Sequence, residues 1–283
     1  MNNGKNDLTE GSIGRKLISF FLPIAAGTLF QQLYNAADAI VVGKFVGTIA
    51  LAAVGGSAAH ITNLLIGFFV ALSGGSTVVI AQLFGAKDEE SIQKATGTAI
   101  AFCIISGIVL TIVGFAFTPV FLRVLQSPPD TIAESTTYLR IVFLGVTAQL
   151  LYNMEAGMLQ AVGDSKSPFI YLFICCMFNI FLDLLLVAVF KMGVAGAAIA
   201  TIASQIISAV LATAKLMRSK EAYRITLKGI GLHRKLLGRM LHIGIPAGLQ
   251  SSMYAISNMI IQVAVNLLGT ATVAAWSLSG KID

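Results

Sequence analysis

Residues 95–118 read ATGTAIAFCIISGIVLTIVGFAFT, twenty-four consecutive positions without a charged side chain. A helix that crosses a bilayer needs about 20 mostly apolar residues, and this stretch alone meets that requirement. Working outward from it, similar runs occupy roughly 17–42, 50–80, 136–160, 168–190, 194–217 and 240–267, with an incomplete one at 270–283. The breaks between them are polar or rich in Gly and Pro, as in Gly85-Ala86-Lys87-Asp88-Glu89-Glu90, Ser127-Pro128-Pro129-Asp130 and Gly163-Asp164-Ser165-Lys166-Ser167-Pro168. Backbone groups in lipid must be satisfied inside their own segment, and the alternation of a β-barrel is absent, so the spans are read as helices. The predicted fold class is all-α, a polytopic membrane protein.

Composition agrees. The 283 residues are 56% hydrophobic and 11% charged, with mean hydropathy +0.84. An ordinary soluble domain carries about 25% charge, and a soluble globule of this size could not clothe its surface from this chain. Cys103, Cys175 and Cys176 all sit in apolar runs and read as small buried hydrophobes. The first apolar run is long and followed by others, so it reads as a helix that stays rather than a cleaved leader.

The net charge of +6 does not imply nucleic acid as a partner, because basic residues in such a chain mark cytoplasmic loops. With the N-terminus inside, 14 of the Lys and Arg residues fall on inside loops, against Lys44, Arg123, Lys191 and Arg140 outside, with Lys281 unassigned. A cytoplasmic N-terminus and a cell (inner) membrane location are therefore expected. Residues 218–239 form the longest polar stretch and the most basic, and read as a cytoplasmic linker. It separates a six-helix lobe, 1–217, from the first helices of a second lobe, 240–283.

An internal repeat crosses that linker. Pro23 and Pro246 each lie early in a span, Asn35 and Asn258 share their offset, and Gly47-Thr48-Ile49-Ala50-Leu51-Ala52-Ala53 matches Gly269-Thr270-Ala271-Thr272-Val273-Ala274-Ala275 one residue out of step. Six spans separate the copies, so both cross in the same direction, as in a parallel repeat about an axis along the membrane normal. A repeat of about 220 residues implies a complete chain of about 445, so the sequence is expected to be a fragment or a truncated reading frame.

Ionisable groups inside a bilayer are costly and mark candidate function. The clearest are Asp38, Asp183 and Glu155. No Lys or Arg lies well inside a span, so the interior charge is acidic and suits cations. Asn35 is three residues before Asp38, and Asn179 and Asp183 are four apart, which puts their side chains on one helix face. Thr201 lies at similar depth on the sixth span. Three helices thus offer oxygens on one level. A carboxyl group kept from water there can take up a proton and release it when water arrives, and Asp183, Asn179 and Thr201 could together hold Na+. The competing reading is a structural acid paired with Asn and, for Thr201, a hydroxyl bonded back to its own helix. Glu155 and Asn153 share the inner half of the fourth span and are candidate substrate-cavity groups. His60 reads as packing. Pro23 removes a helix hydrogen bond and is a candidate hinge.

The ordered motifs are similar to those of the multidrug and toxic compound extrusion (MATE) family. They are Leu22-Pro23 through Gln31-Gln32-Leu33-Tyr34-Asn35-Ala36-Ala37-Asp38, then Ala81-Gln82-Leu83-Phe84-Gly85-Ala86-Lys87-Asp88, then Gln160-Ala161-Val162-Gly163-Asp164-Ser165-Lys166-Ser167-Pro168, and then Gly193-Val194-Ala195-Gly196-Ala197-Ala198-Ile199-Ala200-Thr201. The resemblance covers essentially the whole chain. It implies a twelve-helix antiporter of two six-helix lobes, exporting cationic amphipathic drugs or toxic compounds in exchange for H+ or Na+, with no cofactor, with small-molecule substrates and the lipid bilayer as partners, and monomeric when full length. It also implies that Asp38, Asn179, Asp183 and Thr201 match the family's cation-coupling site, with Asn35, Asn153 and Glu155 near its substrate cavity. Gln160 stands where the family often has a basic residue, and most of the second lobe is missing.

Other classes fit less well. Gly163-Asp164 lacks the first Gly of an intramembrane aspartyl protease and falls in a loop. No Walker loop is present, no Cys/His spacing for a metal and no pore-loop filter. An enzyme is not expected. The alternatives are a lipid-linked oligosaccharide flippase of the same superfamily, which would need Arg or Lys in its cavity for pyrophosphate, and a non-transporting fragment.

Overall fold

A computed structural model describes residues 13–279. Lys5 and Lys281 lie outside them. The described residues form eight helices: α1 (Ile13–Phe45), α2 (Thr48–Gly85), α3 (Glu89–Val124), α4 (Ile132–Ala161), α5 (Lys166–Val189), α6 (Gly193–Arg218), α7 (Arg234–Asn266) and α8 (Thr270–Ser279). Short connections force an up-down order, so the turns at 85–89 and 161–166 and the basic linker share one end of the bundle, here the basic end. The turns at 45–48, 124–132 and 189–193 share the far end.

α1, α2, α3, α5 and α6 are long and apolar enough to cross a membrane. α4 and α7, read as spans from the sequence, are long enough but too polar to qualify. Their positions explain the difference. α4 packs against α2, α3 and α6, so neighbouring helices surround many of its polar side chains, whereas α7 lies along α2 with Gln262 and Asn266 buried and Gln250 and Ser257 exposed. The main apolar cluster joins α2, α3, α4 and α6 through residues such as Ile80, Cys103, Met158 and Leu216. The three cysteines are free and buried.

Two helices are not uniform. α2 breaks at Val54–Ala58, where Gly56 takes φ −84° and ψ −122°. The sequence reading has one continuous helix there. α8 packs into the break: a Cβ on Gly55 would stand 2.7 Å from Ser277 Cβ, and one on Gly56 2.6 Å from Val273 Cγ1. His60 lies next to the break, with Nδ1 2.9 Å from the Gly56 carbonyl oxygen. α5 widens into a π-type turn at Leu184–Val189 directly after Asp183.

The repeat read from the sequence recurs in the backbone. α1 and α7 each contain the matched proline, Pro23 or Pro246. Each is followed by a glycine at positive φ, Gly47 at 117° and Gly269 at 92°, and then by a helix beginning at Thr48 or Thr270. Both copies start from the basic end. The linker is shorter than the sequence reading, because Arg234–Arg239 already belong to α7. It is tied to the basic end of α3: the Thr98 hydroxyl is 3.2 Å from His233 Nδ1 and accepts the His233 backbone N–H at 3.2 Å.

The first lobe meets α7 through glycines. Hydrophobic burial gives little drive between helices in lipid, so close van der Waals contact holds them together. A Cβ on Gly75 would overlap the Met240 carbonyl oxygen and stand 2.7 Å from Gly244 N, and one on Gly244 would overlap the Leu72 carbonyl oxygen. Backbone cannot step aside as a flexible side chain can. Gly75→Ala is expected to lower stability by about 1–3 kcal/mol, read as earlier thermal loss of helical circular dichroism. Gly74→Ala, with nothing within 4 Å of the added Cβ, is expected to be neutral or slightly stabilising.

Asp88 caps α3 by accepting the Ser91 N–H at 3.0 Å. This hydrogen bonding holds its carboxyl below the usual carboxylate range. A group whose folded value is depressed stabilises above its unfolded pKa, and that contribution is lost as pH falls through the folded value. Amide exchange at Ser91, compared with the rest of α3, is therefore expected to speed up on acidification, and Asp88→Ala is expected to show the faster exchange already at neutral pH.

Candidate functional site

The site lies where α1, α4, α5 and α6 meet in the half of the lobe nearer the far end. α5 supplies Asn179 and Asp183, one helical turn apart on one face; both are fully buried. They face inward because the rest of this part of α5 is apolar and outward-facing, with Phe178, Phe181 and Leu184 exposed. α1 supplies Asp38, which lies close enough to Asp183 for electrostatic and hydrogen-bond contact. Two carboxyl groups hydrogen-bond to one another only when one of them carries a proton, because a carboxylate only accepts. In the charged form both Asp183 oxygens, and both polar atoms of the Asn179 amide, are buried without a hydrogen-bond partner among the described residues. Buried polar atoms of native proteins are almost always satisfied, so these atoms stand out.

Tyrosines complete the surround. Tyr34 lies against Asp38, Tyr138 and Thr201, and Tyr138 of α4 lies close to both Asp38 and Asp183. The Thr201 hydroxyl donates to the Ala197 carbonyl at 3.0 Å. Its proton is therefore used within its own helix, and its oxygen is left as an acceptor only. The structure brings Asp38, Asp183, Asn179 and Thr201 into one neighbourhood. Tyr138 was missed from the sequence. A single aromatic at the polar start of α4 carries no signal, and only the folded chain brings it close to Asp38 and Asp183.

The candidate cavity residues separate. A cavity of about 160 Å³ opens between α1, α4, α5 and α6 on the side toward the basic end, and its lining includes Pro23, Gln31, Gln149, Asn153, Gln160 and Gln205. Asn153 is thus in the cavity, its amide donating to the Gln149 carbonyl at 2.8 Å. Asn35 is not in that lining; its amide donates to Gln32 Oε1 at 3.3 Å on a half-buried face of α1. Glu155 is not in that lining either; it is fully buried and accepts the Thr213 hydroxyl at 2.5 Å. Asn153 and Glu155 are two positions apart, and such residues do not share a helix face. Gln31 and Gln205 were also passed over, because attention to charges hides amides. Gln160 places an uncharged group in the cavity lining. The lining carries no acidic or basic side chain.

α1 is joined to α5 by aromatic contacts nearer the basic end, where Phe30 packs on Phe169 at 5.9 Å and edge-on to Phe173 at 5.2 Å between ring centroids. Pro23 lies within α1, two turns before Phe30.

Comparison with known proteins gives a consistent result. Residues 23–185, more than half of the chain, match the family model MatE. The chain is 29% identical over 281 residues to the probable multidrug resistance protein YoeA of Bacillus subtilis and 22% identical over 273 residues to the multidrug export protein MepA of Staphylococcus aureus. These alignments cover 97% and 96% of this chain and 60% of each relative, so the chain spans about three fifths of their length. Among solved structures it is similar to an outward-facing multidrug resistance MATE family transporter, with TM-score 0.82, 25% identity, 96% of this chain and 65% of that one. It shares its fold with a Pyrococcus furiosus MOP-superfamily transporter described as having a binding pocket of reversed polarity, with TM-score 0.85, 24% identity, 99% of this chain and 67% of that one. The helix order, the repeat, the buried acids and the matched family model agree, and this multi-pass membrane protein belongs to the MatE family.

Proposed function

We propose that the complete protein is a secondary active antiporter that exports cationic amphipathic compounds across the cell membrane in exchange for H+ or Na+. The N-terminus and the basic end face the cytoplasm. The observation that carries this reading is the group of buried oxygens without donors on Asp183 and Asn179, next to Asp38. A proton bound between the two carboxyl groups supplies the missing hydrogen bond. Na+ instead takes several oxygens at once, from Asp183, Asn179 and the acceptor side of Thr201. Either ion neutralises two like charges held in a medium where Coulomb forces are strong.

This gives the ion a mechanical effect. With the ion bound, Asp38 and Asp183 hold α1 to α5 in the outer half of the lobe. Without it the carboxylates repel each other. Pro23 leaves one α1 carbonyl without its helical donor, which makes that turn the place where α1 bends, while the Phe30 contacts keep α1 against α5. The cavity that Pro23 and Asn153 line changes shape as a result. Substrate and ion thus compete through the shape of one helix.

The flippase reading is weaker, because holding a pyrophosphate calls for Arg or Lys and the cavity lining has neither. The multidrug names of the bacterial relatives support export of small molecules.

In the complete protein, reconstituted with separate proton and sodium gradients, Asp38→Asn is expected to abolish gradient-driven efflux of a cationic dye while membrane insertion stays normal. Asp183→Asn is expected to do the same, with the larger effect on sodium dependence. Normal efflux by either variant removes that residue from coupling.

A further inference from the structure

Glu155 is left over from the site described above. It is the other fully buried carboxyl group among the described residues, with 0% exposure like Asp183. It lies about 9 Å from the basic end of α4, whereas Asp183 lies about 25 Å from the basic end of α5, at 1.5 Å per residue. The two are thus on different levels of the lobe. Its environment is also different: the apolar cluster of Cys103, Met158, Leu159 and Leu216 occupies the same level.

We infer that Glu155 and Thr213 form a second proton-binding site, nearer the basic end, in which the acid is neutral in the resting protein and joins α4 to α6. Four observations lead there. The carboxyl is fully buried. One oxygen accepts the Thr213 hydroxyl, and the other, Oε2, is buried with no partner. No Lys, Arg or His among the described residues pairs with it; the ion pair found among them is Lys94 with Glu90. The titratable group that faces it is the Cys103 thiol of α3, which brings no positive charge; α6 presents Thr213. An isolated carboxylate in such a place costs far more than one hydroxyl donor returns, so the group is held as the acid.

Access comes from the cavity. Tyr152, one turn before Glu155 and on a neighbouring face, lines the cavity together with Asn153 and Ala156, while Glu155 itself does not. A small rotation of α4, or water passing around it, brings cavity water to the carboxyl. The proton then leaves to that water, and the carboxylate that remains must be hydrated. α4 and α6 cannot stay in dry contact around it. Proton occupancy therefore governs this helix pair near the basic end, independently of Asp38 and Asp183. The inference does not depend on the antiport proposal and concerns the chain by itself.

The test is infrared difference spectroscopy on the purified chain in lipid nanodiscs at neutral pH. A neutral carboxylic acid has a carbonyl stretch that a carboxylate lacks. Wild type minus Glu155→Gln is expected to show one such band, and the band is expected to persist in Asp183→Asn. If no acid band is lost in Glu155→Gln, Glu155 is charged and the inference fails. Should that variant not fold, Thr213→Val gives a second measurement. Loss of the hydroxyl donor is expected to move the acid band to higher frequency, and an unchanged acid carbonyl region overturns the proposal. Dye efflux enters neither readout, so failure here leaves the antiport proposal standing, and failure there leaves this one standing.

Discussion

Everything in this bundle follows from the scarcity of water inside it. In a hydrocarbon medium each backbone N–H and C=O must find its partner within the protein, which permits helices and closed barrels and little else. The same scarcity makes every interior carboxyl group an event. Asp38, Asp183 and Glu155 exist in a chain with only 11% charged residues, and each is held by helices that turn outward apolar faces to the lipid.

The acids are handled in two ways. Asp38 and Asp183 face each other from α1 and α5, so each conditions the charge of the other. Asn179 adds two buried polar atoms without a partner among the described residues. Tyr34 and Tyr138 close the sides with hydroxyls among otherwise apolar rings. Glu155 has the simpler arrangement of one hydroxyl across one helix contact. Two acids held close together condition one another by repulsion, whereas a single acid is governed by its own burial.

The packing between the lobes obeys a different constraint. α2 and α7 approach until Gly75 and Gly244 leave no room for a Cβ. At the far end a polar chain takes over, in which Gln262 donates to Asn266 at 2.7 Å and Asn266 donates to Ser57 Oγ at 3.0 Å and to the Leu125 carbonyl at 2.6 Å. Glycine contacts give close approach with little specificity, whereas buried amides fix the register.

The sequence by itself determined the helices, their order, the repeat and the acids, because each of these is a one-dimensional quantity. A 24-residue run without charge can only be a span or a buried core, and an Asp inside such a run is legible wherever it falls. The offset of Pro23 to Pro246 and of Gly47 to Gly269 is likewise a property of spacing, and the backbone follows it. The side of a helix on which a residue ends was decided only by the tertiary structure. Asn153 and Glu155 look alike in the sequence, two polar residues two apart, yet α4 is packed on both sides, and one looks into the cavity while the other looks into the apolar cluster. Tyr138 enters the acid cluster for the same reason: it comes close to Asp38 and Asp183 through helix packing, which is set by the fit of many side chains at once and which no local spacing records.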